Sequence, residues 1–194
     1  MDWKKIELTD TEYLIVPENP DDFTAIFDDE DEDTEVHLGI YIEQRDMREM
    51  FASWDNVEHH ICPIAQIVVI DPLDDEVLRE AMECMGIDEK PADPYVRAWI
   101  VAQYAGGVPL PTITLLETME ENNIDVPDWG EEGCFKCWKD ADAFVDAVMK
   151  IAPLIAGLIG FILDNPVNLI GNTGWDIIRL VVENYDYIGA TLRI

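Results

Sequence analysis

The chain has 194 residues, 48% of them hydrophobic, enough to bury a core, so it is not a disordered acidic tail. Against 42 Asp and Glu stand only 12 Lys and Arg, a formal net charge of -30. Repulsion at that density works against any compact state and has no use in an ordinary soluble enzyme. It excludes nucleic acid, acidic membranes and phosphorylated substrates as main partners and requires a positive one.

The charge is unevenly laid out. Residues 1–35 hold 14 acids against 2 bases, whereas residues 151–194 hold 4 against 2, which marks the C-terminal quarter as core. Met1-Asp2-Trp3-Lys4-Lys5 leads into no apolar run of the signal-peptide kind, and four cysteines are too sparse for a secreted disulfide scaffold. The expected compartment is a reducing cytoplasm, that of a bacterial host cell.

In chain order, Glu12 to Val16 and Phe23 to Phe27 read as short strands separated by the turn residues 17–22. Val36 to Ile42 alternates as a strand with one buried face. Between these strands lies Asp28-Asp29-Glu30-Asp31-Glu32-Asp33-Thr34-Glu35, seven carboxylates in eight residues, which reads as the tip of a β-hairpin. Gln44 to Trp54 carries Met47, Met50, Phe51 and Trp54 at helical spacing. Ile64 to Ile70 is a continuous apolar, central strand. Asp71-Pro72 then reads as an N-cap with proline opening a helix that Gly86 stops. Asp93-Pro94 repeats the device for a helix ending at Gly106-Gly107. Further helices are expected over Thr112 to Asn122 and Asp140 to Leu163, the latter broken or kinked at Pro153. A last helix, Gly174 to Asn184, precedes a terminal strand from Ala190 to Ile194. The sum is one α+β domain spanning residues 1–194, with a small mixed or antiparallel sheet covered by about five or six helices, and apolar C-terminal helices in the core. A division into a β-rich lobe, 1–70, and a helical lobe, 71–194, is the alternative. Ile151 to Leu163 is uncharged for thirteen residues, short of the roughly 20 a spanning helix needs.

No phosphate-binding loop, dinucleotide fingerprint, zinc-protease helix or nucleophile elbow is present, and among 42 acids no carboxylate pair can be singled out as catalytic. No enzymatic activity is expected. Gly171-Asn172-Thr173-Gly174 resembles a phosphate turn but lacks a cation and reads as a helix entry. The contiguous acids of 28–35 lack the central glycine and alternate spacing of a calcium loop. His59-x-x-Cys62 and Cys134-x-x-Cys137 could together supply a Cys3His zinc set; the opposing reading makes Cys62 a strand-end residue and Cys134 and Cys137 loop residues over packed Phe135 and Trp138. No cofactor other than zinc is suggested. A redox role for Cys134 and Cys137 would need a helix N-terminus at Trp138 to lower the thiol pKa.

A compact chain of this length is about 40 Å across. That length of duplex DNA bears about 24 charges, comparable to the total here. Carboxylates of Asp28 to Asp33 and Glu35, of Asp71, Asp74, Asp75 and Glu76, of Glu117, Glu120 and Glu121, and of Asp128, Glu131 and Glu132 could stand in for phosphates against the Lys and Arg of a nucleic-acid-binding protein. In charge, size and absence of enzyme motifs, the chain resembles the acidic DNA mimics that phages and mobile elements use against restriction and CRISPR systems. No sequence motif carries that resemblance. Two other readings share the electrostatics: an immunity protein that blocks one basic nuclease toxin, which needs charge on one face only, and a salt-adapted protein with no dedicated partner. A homodimer would extend the negative surface.

Overall fold

In the computed structural model, residues 2–28, 33–48, 59–130 and 133–164 are described. Six strands form one antiparallel sheet: β1 (Trp3–Thr9), β2 (Glu12–Pro17), β3 (Thr24–Asp28), β4 (Asp33–Asp46), β5 (Ile61–Asp71) and β6 (Val108–Leu110). The order is β1-β2-β4-β5-β6, with β3 also paired to β4. β4 organises the sheet. It pairs with β5 from His37↔Asp71 to Asp46↔Ile61, while β2 takes residues 40–43 and β3 takes residues 33–37. Residues 33–36 of β4 therefore run past the end of β5 by about 13 Å at strand rise, with β3 as their strand partner among the described residues and Val36 still buried in the core.

Among the described residues four helices, α1 (Asp75–Met85), α2 (Pro94–Ala105), α3 (Thr112–Glu121) and α4 (Trp138–Asp164), rather than the five or six expected, cover both faces of the sheet. On one face, Leu14, Val16, Tyr41, Val68 and Ile70 meet Ala98 and Ala102 of α2, and α1 packs on α2 through Leu78, Ala81, Met82 and Ile100. On the other, Ile15, Ile40, Ile42, Ala65 and Ile67 meet Leu115, Leu116 and Met119 of α3 and the inner row of α4. Double coverage explains why β2 and β5 are near-continuous apolar runs, a pattern that sheets solvated on one side do not show. It also corrects the expectation of one buried face for residues 36–42, since Ile40, Tyr41 and Ile42 are all buried.

Helix boundaries follow their caps, with one displacement. Asp71 does not cap α1. It is the last residue of β5, paired with His37, and Pro72 follows through a cis peptide bond. Asp74 takes the cap, its carboxylate accepting from the backbone N–H groups of Glu76 and Val77, and Gly86 closes the helix at φ 69°. Asp93 and Pro94 open α2 as expected. The helix over Gln44 to Trp54 does not begin there: Gln44, Arg45 and Asp46 continue β4 because Pro63, Cys62 and Ile61 of β5 extend the ladder beside them. Residues 49–58 lie outside the described residues, as do the expected helix Gly174 to Asn184, the turn at Gly171 and the strand Ala190 to Ile194. β1 and β6 have no counterpart in the sequence reading.

Pro153 does not break α4, which stays helical across it. Phe144, Val145, Val148, Ile151, Ala152 and Ile155 are at most 1% exposed, so packing holds the helix on both sides of the proline. No described helix is long and apolar enough to cross a membrane.

Candidate interaction surface

Because β4 and β5 are antiparallel and His37 faces Asp71, two of the four acidic clusters converge on one end of the sheet. Asp28 and Asp33 form the outermost pair of the β3–β4 hairpin, directly opposite each other. Asp29, Glu30, Asp31 and Glu32 lie outside the described residues. Glu35 is exposed, and beside the base of the hairpin Asp71, Asp74, Asp75 and Glu76 are all exposed, with the Asp75 side chain 91% accessible.

The other clusters are not brought to this end by any pairing. Glu117, Glu120 and Glu121 are exposed on α3, across the sheet from α1, and Asp128 is exposed in the loop that follows. Glu131 and Glu132 fall outside the described residues. The acids thus occupy both outer layers, with one dense end.

Many of the cations are engaged internally. Lys5 Nζ meets Asp146 at 3.0 Å, Arg79 bridges Glu76 and Glu83, Lys90 Nζ meets Asp75 at 3.2 Å, and Arg45 pairs with Glu43. Lys4 lies over the Tyr95 ring, and Arg97 donates to the Pro91 and Ala92 carbonyls. Exposed pairs of this kind contribute about 0–1 kcal/mol each, so their larger effect is to lower the local count of free positive charge.

A cavity of about 420 Å³ opens at the dense end, between β4, β5 and the start of α2. Val16, Leu38 and Ile70 give it apolar walls, and Asp71, His37, Tyr95 and Arg97 supply polar groups. His37 Nε2 lies 3.3 Å from Asp21 Oδ1. Sequence reasoning missed this cavity, since its lining comes from four separated segments with no motif between them.

A second feature also lacks a sequence signal. Tyr41 Oη donates to Glu12 Oε1 at 2.5 Å, Trp99 Nε1 donates to the same oxygen at 3.2 Å, and Gln103 Nε2 donates to Tyr41 Oη at 2.8 Å. Burial first, then the hydrogen bond and negative charge of Glu12, pushes the Tyr41 hydroxyl well above its ordinary pKa. The network ties β2, β4 and α2 together, which gives it a fold role.

Cys62 and Cys134 sit at the opposite end of β5. Ile61 and Phe135 exchange both backbone hydrogen bonds at 2.8 Å, which sets Cys62 opposite Cys134 with their Cα atoms 4.4 Å apart, and the two sulfurs form a disulfide. Of the proposed zinc set, then, Cys62 and Cys134 meet. The histidine beside them is His60, not His59: the two point apart, and His59 Nδ1 lies 2.8 Å from Asp46 Oδ2. Cys137 is a free thiol just before α4, and Cys84 is exposed on α1. No protein-family model, curated protein or solved structure matches the chain.

Proposed function

We propose that the protein is a noncatalytic acidic decoy that occupies the nucleic-acid-binding surface of a basic protein, as an anti-restriction or anti-CRISPR inhibitor would inside a bacterial cell. The observation that carries this reading is the dense end: a hairpin whose tip is acidic throughout extends past its sheet beside Asp71, Asp74, Asp75 and Glu76, on a chain of net charge -30. A nucleic-acid-binding groove presents Lys and Arg at phosphate spacing, and an acidic hairpin is a shape that can meet it. Steering by the net charge speeds the encounter, and screening predicts that affinity falls with salt.

The test compares the tagged wild type with a variant in which Asp28, Asp29, Glu30, Asp31, Glu32 and Asp33 become Asn or Gln. Both are incubated with bacterial lysate at low salt, with and without competing duplex DNA. The expected result is a DNA-binding protein retained by the wild type, displaced by duplex, and lost from the variant. A single nuclease toxin that survives high salt supports the immunity reading instead. Equal recovery by wild type and variant removes the hairpin from the interface.

A further inference from the structure

We propose that, with both sulfurs reduced, His60, Cys62 and Cys134 bind one zinc-class divalent cation. The three residues each offer a donor atom, and these atoms all lie within 4.8 Å of one another. The backbone explains why they meet. Residues 60 and 62 are two apart at the start of an extended strand and so share a side, while Ile61 between them is 0% exposed and turned into the core. The Ile61–Phe135 bridge fixes Cys134 opposite Cys62, and their 4.4 Å Cα separation is that of a non-hydrogen-bonded antiparallel pair. Two rigid segments therefore deliver the donors, with His60 itself only 8% exposed.

Zinc holds sulfur at about 2.3 Å and nitrogen at about 2.0 Å in tetrahedral sites, so its ligands stand roughly 3.5 to 4 Å apart. The three donors already lie within 4.8 Å of one another, and once the bond between the two sulfurs is reduced, side-chain rotation must part the sulfurs to that spacing. Binding replaces the proton on each thiol by a metal–sulfur bond, so one cation bound releases two protons. In the disulfide form the same sulfurs are bonded to each other, and the two states exclude one another. Cys137, three residues beyond Cys134 and just before α4, is the nearest further thiol in sequence for the fourth position. The sulfur-rich set also separates this site chemically from the acidic surface. Thiolate and imidazole select zinc-class metals, whereas exposed carboxylates attract calcium and magnesium weakly and without specificity. The assignment is independent of the decoy reading.

The full chain, reduced with a phosphine and desalted under inert gas, is titrated with Co²⁺ and then with Zn²⁺. The expected result is one equivalent bound, with the visible bands of tetrahedral cobalt and near-ultraviolet thiolate charge transfer, both bleached by one equivalent of Zn²⁺ and unaffected by excess Ca²⁺. Cys62→Ser, Cys134→Ser and His60→Asn weaken binding by more than the roughly tenfold that loss of an outer partner costs. His59→Asn leaves it unchanged. Absence of the cobalt spectrum in the reduced wild type, or its equal appearance in urea-unfolded protein, overturns the site. Loss on His59→Asn with retention on His60→Asn overturns the choice of histidine.

Discussion

Removing the Glu12 carboxylate isolates the contribution of the buried network. Tyr41 is 3% exposed, and its hydroxyl has a charged acceptor at 2.5 Å. A hydrogen bond to a charged group contributes about 1.5–3 kcal/mol, and the longer one from the half-buried Trp99 falls at or below the low end of that range. Glu12→Ala leaves both donors without this partner and is expected to cost about 2–4 kcal/mol. Glu12→Gln retains an acceptor oxygen and costs about 1 kcal/mol. The global charge works in the opposite direction, because removing any acid from a chain of -30 relieves repulsion. Glu89→Gln, an exposed acid in the loop between α1 and α2, measures that relief alone. Urea unfolding at constant slope gives the three differences, and a Glu12→Gln/Tyr41→Phe cycle gives the coupling, expected at about 1 kcal/mol. The pH dependence has a definite sign. Because the folded Tyr41 pKa is raised, its share of stability is complete below the unfolded value of about 10 and is lost as pH rises through the folded one. Glu12→Gln should move that loss to lower pH. Glu12→Ala within 0.5 kcal/mol of Glu89→Gln would mean that the network contributes nothing to stability.

Asp46 has the mirror dependence. Burial alone would raise its pKa, but hydrogen bonds from the His60 backbone, the His59 ring and the Arg48 backbone outweigh that and hold it low. Its stabilisation is present above the unfolded carboxylate value of about 3.9 and is lost as pH falls through the folded one. Asp46→Asn should cost about 1–2 kcal/mol at neutral pH and flatten the acid limb of the stability curve measured by thermal melts. Gly107→Ala should cost about 1–3 kcal/mol in urea unfolding, since the new methyl overlaps the Ile67 carbonyl oxygen of the adjacent strand. Gly39→Ala should cost less, because its nearest contacts are side-chain atoms of Val16 and Ile70 rather than backbone.

Strands were legible where burial wrote them as continuous apolar runs, as in Glu12 to Val16 and Ile64 to Ile70. β1 was not, because Trp3, Ile6 and Leu8 are only partly buried and its lysines interrupt the pattern. The helix starts show how local signals compete. Asp93-Pro94 has no rival use and caps α2. Asp71-Pro72 presents the same signature, but Asp71 is already held in the β4–β5 ladder, so the cap moves to Asp74. Likewise the helical spacing from Met47 onward cannot extend back over Gln44 to Asp46 while β5 supplies a partner strand. The histidine choice failed for a related reason. His-x-x-Cys is a metal spacing for loops, but in extended chain the residue two before Cys62, which is His60, shares its side.

The acids of the dense end divide by what the fold gains from them. Asp74 caps α1, and Asp75 and Glu76 sit in its first turn, where the helix dipole favours negative charge by about 0.3–1 kcal/mol each. That cluster would be retained in a protein with no partner. The hairpin is different. Asp28 stands directly opposite Asp33 across the ribbon, an arrangement of like charges that costs roughly 0.2–1 kcal/mol. The base of the ribbon is anchored in the core by Ala25 and Val36, neither of them an acid. Stability gives no reason to keep seven carboxylates in eight residues there, and a positive partner does. The two clusters should accordingly separate under mutation: Asp74→Ala lowers stability by about 1 kcal/mol along with any loss of binding, whereas Asp33→Asn raises stability while weakening the complex.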